Sequence, residues 1–215
     1  MGDPGSAARG LLPVIVTALM LLAAGTAAAD GAHQHAGKMP VMEDEAGGAD
    51  VELFDLELID QDGQPRMFRG DVIGDRIVAI TFIYTTCTTV CPVISAIFGQ
   101  VGQRLGARLG EEVFLVTLSV DPVTDRPARL RAYAQKHGTG AGWTYLTGNK
   151  LSMDKVLEGL GAYTPNYEDH PAMVLVGDGR SGRWTRFFGF PGPDTIVAKV
   201  DALAAARAHA ASAQH

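Results

Sequence analysis

From residue 51 onward the apolar positions switch between two periods, and the switches mark out the elements. In "VELFDLELIDQDGQP", alternation through Leu53, Leu56 and Leu58 leads into the Asp62-Gly63 turn signal, which predicts a β-hairpin. "IVAITFIYT" (77–85) is an unbroken β-branched and aromatic run, the pattern of a strand buried on both faces of a sheet. After Pro92, the residues Val93, Ile94, Ile97, Phe98, Val101 and Leu105 recur at helical spacing, and "VFLVTLSV" (113–120) is a second buried strand. "DRPARLRAYAQKHG" predicts a helix with Asp125 as N-cap and Gly138 just past its end, and "LSMDKVLEGLG" another capped by Ser152. "AMVLVG" and "RWTRFFGF" predict two strands around the turn "DGRSG", and an Ala-rich helix follows "PGPD".

Strand, helix, strand, helix, then a hairpin and a last helix describe an α/β fold with a mixed sheet flanked by helices. That order matches the thioredoxin-like arrangement, with an N-terminal β-hairpin added. We expect one such domain over residues 51–208, with 209–215 as a tail. In open sheets of this kind ligands collect outside the carboxyl ends of the strands, which is where Cys87 falls.

The segment ahead of the domain changes the chemical setting. Arg9, the apolar stretch Leu11 to Gly25 and the small residues Ala27 to Ala29 read as an export signal over residues 1–29. The uncharged run Leu11 to Ala29 is also close to the length of about 20 residues that spans a bilayer, so an uncleaved membrane anchor is the alternative. Pro13 and the alanine-rich end favour cleavage. Either way the domain is expected in an exported compartment, the bacterial periplasm, where thiols tend to oxidise. Residues 30–50 are rich in Gly, Ala and acids without an apolar period, and so predict a flexible tether. It carries His33, His35, Met39 and Met42, whose imidazoles and thioethers suit copper; a solvated tail with incidental His and Met is the plainer reading. The net charge of −6 and the absence of a basic run exclude the phosphate-neutralising patch that nucleic-acid binding requires.

Both cysteines of the chain lie in "YTTCTTVCP" (84–92). If the helix starts near Thr88, Cys87 and Cys91 stand one turn apart on one face, and their sulfurs can converge on a single point. The spacing is one residue longer than the CxxC pair of ordinary thioredoxin chemistry. A disulfide is geometrically allowed, but it would close a very short loop and so add little as a staple. A helix N-terminus favours anions and is expected to lower both thiol pKa values, which serves redox exchange and metal binding alike. Pro92 suits the first helical turn.

Two thiolates are an incomplete set for most metals, and His170 in "NYEDHPAMVLVG" is the candidate third ligand, with Asp169 beside it and Pro171 holding the backbone extended. On the residues alone, an exposed loop histidine is the plainer reading of His170. Two thiolates and an imidazole would form a soft set suited to Cu(I) and able to hold Cu(II), whereas structural zinc prefers four ligands. His137, at a helix C-terminus, is explained by the dipole there.

"LIDQDGQP", "ITFIYTTCTTVCP", "SVDPVTDRPARLRAYA", "GWTYLTG" and "YEDHPAMVLVGDGR", in this order from about Leu53 to Leu203, resemble the Sco/SenC family of copper-binding, thioredoxin-like assembly proteins for cytochrome c oxidase. The resemblance implies copper as the bound metal, with Cys87, Cys91 and His170 as its ligands. It also implies that Asp121 and Asp125 lie near the site, and we add Asp169 as a neighbour of His170. It implies a metallochaperone that delivers copper to the dinuclear copper site of oxidase subunit II, loaded by a periplasmic copper donor and kept reduced by a thioredoxin-type partner. Membrane contact is expected if the leader is retained. The alternative is a thiol-disulfide oxidoreductase using Cys87 and Cys91 as a redox pair. Many members have Pro and then an acidic residue after the first cysteine, where this chain has Thr88 and Thr89. Peroxide reduction is disfavoured, because no Arg lies between Arg76 and Arg104.

Overall fold

The computed structural model describes residues 42–43, 48–138 and 140–213. Its eight strands are β1 (Met42–Glu43), β2 (Glu57–Asp60), β3 (Pro65–Met67), β4 (Ile77–Ile83), β5 (Val113–Ser119), β6 (Trp143–Thr147), β7 (Met173–Asp178) and β8 (Arg183–Phe188). They form one sheet in the order β1-β8-β7-β4-β5-β6-β2-β3. β4, β5 and β6 run parallel, and the remaining neighbours pair antiparallel. The helices are α1 (Val90–Leu105), α2 (Pro127–His137), α3 (Lys150–Gly159) and α4 (Pro193–Ser212).

Alternation along the strands sends residues to two cores. Ile77, Ala79 and Ile83 of β4 pack with Ile94 and Phe98 of α1, Leu130 of α2 and Val200 of α4. Val78, Ile80 and Phe82 pack on the opposite face with Met153 and Val156 of α3 and Phe68 of the short π-helical turn Phe68–Ile73. All seven residues of β4 are buried, as a strand covered on both faces requires. This is the thioredoxin-like mixed sheet that the element order implies, with the β2-β3 hairpin at one edge.

Several local expectations are corrected. The hairpin strand begins at Glu57, later than the alternation suggests, and Leu53 and Leu56 ahead of it pack against the same core as Leu58. The hydrophobic pattern does not predict β6, since "WTYLT" is too short to show a period. α1 starts at Val90 and not Thr88, α3 is capped by Asn149, which accepts from the Ser152 amide at 2.9 Å, and Asp125 does not cap α2, whose N-cap position is Arg126. Part of the expected tether is strand: Met42 pairs with Phe188 and Glu43 with Phe187. α4 runs through His209 to Ser212, into the expected tail. The leader lies outside the described residues, and among those described no helix is long and apolar enough to cross a membrane.

The β7-β8 turn is tied to α4 by Asp178. Its carboxylate is fully buried, accepts from the Arg180 amide (2.8 Å) and the Ser181 hydroxyl (2.9 Å), and pairs with the Arg207 guanidinium. Burial opposes its ionisation, but the Arg207, Ser181 and backbone donors outweigh burial and hold its pKa down at about 2. A depressed carboxylate stabilises the fold fully above its unfolded pKa of about 3.8, and that contribution is lost as pH falls toward 2. We expect the wild type to lose about 2 kcal/mol from this group across that window, and Asp178→Asn to flatten this part of the profile. Urea unfolding at pH 5, 3.5 and 2.5 checks it; parallel profiles for the two proteins would contradict it.

Candidate metal centre

β4 ends at Ile83 and the chain turns sharply, with the Cys87 amide donating to the Tyr84 carbonyl at 3.1 Å. α1 begins three residues after Cys87, and the Cys91 amide donates to Cys87 Sγ at 3.4 Å. The Cys87 sulfur therefore does the capping job that Thr89, the residue in the N-cap position, leaves undone. Both thiols are buried and free, 6% and 3% exposed, and of the two Cys87 also lines an open cleft beside α2.

The expectation that the helix end lowers both thiol pKa values holds for one of them. Burial raises the pKa of Cys87, but the Cys91 thiol and amide and the Thr89 groups donate to its sulfur and bring it down to about 7. Cys91 is pushed up to about 12, first by burial and then by its hydrogen bond to Cys87, because a second negative charge beside the first is unfavourable. One thiolate is thus prepared and its neighbour stays protonated.

Asp125 holds this turn from below. The fully buried carboxylate accepts from the Thr85 hydroxyl (2.5 Å), the Thr85 amide (3.1 and 3.2 Å) and the Ser119 hydroxyl (2.7 Å), so it links the ends of β4 and β5. Burial raises its pKa, and the hydroxyl and amide donors oppose that rise. Asp121 is also buried. Its Oδ1 accepts from the Thr124 amide at 3.3 Å, while Oδ2 has no partner among the described residues.

His170 ends the 3₁₀ turn Tyr167–Asp169, with its ring 5.3 Å from that of Phe82. Its Nε2 is buried without a hydrogen-bond partner among the described residues, and burial lowers its pKa to about 4, leaving a neutral imidazole. The His170 loop rests on the cysteine turn through Tyr167, whose ring meets Tyr84 edge-on at 5.1 Å. Tyr84 in turn is hydrogen-bonded to Cys87, and its own pKa is raised to about 12, chiefly by burial.

The structure therefore brings Cys87 and Cys91 together and rests the loop that carries His170 on the cysteine turn through the Tyr84–Tyr167 contact. Among the described residues no three Cys, His, Asp or Glu side chains are gathered closely enough to hold a metal ion. Asp169 is exposed and accepts from Asn166 at 3.1 Å. Met42 is exposed on the edge strand β1, three strands from β4, and His33, His35 and Met39 lie outside the described residues. Tyr84 and Tyr167 were not singled out from sequence; their positions beside the cysteine motif and in "NYEDH" are the signal that could have found them.

Known proteins resemble this chain in sequence and in fold. A protein of Stutzerimonas stutzeri with a provisional copper-binding description is 31% identical over 106 residues, which is 49% of this chain and 50% of that protein's length. A SCO1/SenC family lipoprotein from Bacillus anthracis superposes with a TM-score of 0.62 at 22% identity, covering 74% of this chain and 98% of its own. ScoI of Bradyrhizobium japonicum, solved with copper bound, superposes with a TM-score of 0.56 at 25% identity, covering 72% and 97%. The sequence pattern of SCO1/SenC matches residues 45–205, three quarters of the chain, and on that extent the protein belongs to the SCO1/SenC family.

Proposed function

We propose that this chain carries copper for the assembly of cytochrome c oxidase, the process its family serves, with Cys87, Cys91 and His170 as the ligands. The observation that carries the reading is the orphaned Nε2 of His170: a buried, neutral imidazole nitrogen with no partner among the described residues, on a loop resting against the cysteine turn. A buried polar atom without a partner is costly, and a metal ion would supply one. Two sulfurs and one imidazole form a soft set that fits copper. Closing the set requires His170 and the two sulfurs to come closer together than they stand here. A site completed by a loop can also reopen, which suits cargo that must be handed on. Cys87 offers the ready thiolate, Cys91 gives up its proton on binding, and an incoming ligand can join before a resident one leaves. The recipient in this reading is the dinuclear copper site of oxidase subunit II, the source is a periplasmic copper donor, and the domain works after export.

His170→Ala tests this. The reduced variant is expected to lose at least tenfold in copper affinity, to show an altered copper spectrum, and to fail to restore oxidase activity in cells lacking the wild type. Unchanged affinity and full complementation would overturn the ligand set.

A second reading, thiol-disulfide exchange, is favoured by the split between the sulfurs, one near pKa 7 and the other near 12. Such a pair suits a nucleophile and a protonated resolving partner. In this role the pair would reduce the recipient's cysteines and be reduced again by a thioredoxin-type partner. His170→Ala should leave that activity largely intact, so the same complementation assay separates the two readings.

A further inference from the structure

On the α2 side of the cysteine turn lies an open cleft of about 570 Å³, lined by Thr85, Thr86, Cys87, Arg129, Tyr133 and Lys136. Its volume falls in the range of small-molecule pockets, roughly 300–1,000 Å³. Its charge is unusual for a chain of net charge −6. Arg129 and Lys136 are exposed, and among the described residues neither has an ion-pair partner, whereas Arg131 on the same helix is paired with Asp62 at 3.2 Å. Arg129 and Lys136 are seven residues apart on α2, so their backbones are separated by two turns, roughly 10 Å. Between them Tyr133 is fixed by its hydrogen bond to Ser95 at 2.9 Å, and the His137 ring packs on it at 4.2 Å. The cleft thus has a rigid aromatic wall, two unneutralised cations and Cys87 in its lining. Of these, Cys87 alone is shared with the His170 side of the site.

We infer that this cleft binds one half of a low-molecular-weight disulfide built from tripeptide-sized thiols, the two carboxylates of that half, about 10 Å apart, meeting Arg129 and Lys136 while its sulfur meets Cys87. The inference rests on the thiol-exchange reading above, for which the geometry places Cys87 in the cleft lining and Cys91 directly behind it, its amide 3.4 Å from Cys87 Sγ. The Cys87 thiolate attacks one sulfur of the bound disulfide, forming a mixed disulfide and releasing one small thiolate. The Cys91 thiol then loses its proton to solvent and attacks Cys87 Sγ, closing the Cys87–Cys91 disulfide and releasing the second small thiolate. Two protein thiols are oxidised and one small disulfide is reduced; the reverse sequence reduces the protein at the expense of two small thiols.

The test is a ratio of rates on reduced, copper-free protein: oxidation of the cysteine pair by glutathione disulfide, which carries the carboxylates, over oxidation by hydroxyethyl disulfide, which is neutral. Any change in the intrinsic reactivity of Cys87 cancels in the ratio. In the double variant Arg129→Gln/Lys136→Gln the ratio is expected to fall about tenfold, and high salt should lower it in the wild type. An unchanged ratio, with hydroxyethyl disulfide still closing the pair, would overturn the cleft while leaving thiol exchange standing. If neither reagent closes the pair, the exchange reading fails and takes the inference with it. A charge-dependent advantage seen with an acidic decapeptide disulfide but absent for glutathione disulfide would also overturn it, in favour of a protein segment.

Discussion

Alkylation of the reduced, copper-free protein with sub-stoichiometric iodoacetamide at pH 7 is expected to fall almost entirely on Cys87. At a pKa of about 7 roughly half of that thiol is thiolate, while Cys91, near 12, is essentially all protonated. The sign follows from the hydrogen bonds: Cys91 donates through its amide and thiol to Cys87 Sγ, so the negative charge is favoured there and disfavoured on the donor. Reaction at Cys87 should rise through a midpoint near pH 7, below the value of about 9 for an unperturbed cysteine. Peptide mapping across a pH series provides the check. Comparable labelling of both cysteines at pH 7, or dominance of Cys91, would mean that the sulfur asymmetry is wrong.

Replacing Asp125 with alanine is expected to cost about 3 kcal/mol and to disturb the thiol pair as well. The carboxylate receives the Thr85 amide, the Thr85 hydroxyl and the Ser119 hydroxyl inside a fully buried space. Its loss strands these donors without water, and each unsatisfied buried donor costs about 1–3 kcal/mol, part of which is recovered as the hydroxyls find new partners. Thr85 lies two residues before Cys87, so its release loosens the turn that presents the sulfur, and the alkylation midpoint of Cys87 should move up. Asp125→Asn, which keeps one acceptor oxygen, should fall between alanine and wild type on both measures. Urea midpoints and the alkylation profile test the two halves separately. A D125A protein of wild-type stability with an unshifted midpoint would remove Asp125 from any supporting role.

The sequence by itself determined the parts in which one local signal dominates. The continuous apolar run of β4 could only be satisfied by cover on both faces, and helical spacing named Ile94, Phe98, Val101 and Leu105 of the buried stripe of α1, although Val93 in the same pattern is exposed and Ile97 only partly buried. The Asp62-Gly63 turn placed the hairpin, because Gly63 sits at φ +79°, a conformation glycine adopts without strain. The cysteine spacing brought the two sulfurs together, as short-range geometry along a helix entrance must. Tertiary structure decided the rest. Asp125 has the composition of a cap, but an end-of-strand gap between Thr85 and Ser119 competes for its carboxylate and wins with four contacts. β6 has too few residues to show a period and exists because it pairs with both β5 and β2. The direction of the Cys91 shift depends on burial and on a neighbouring sulfur, neither of which a helix-dipole argument contains. The setting of His170 was least legible of all. Its partnerless Nε2, its packing on Phe82 and its loop's rest against Tyr84 arise from contacts across roughly eighty residues of chain, and local sequence holds no record of such distances.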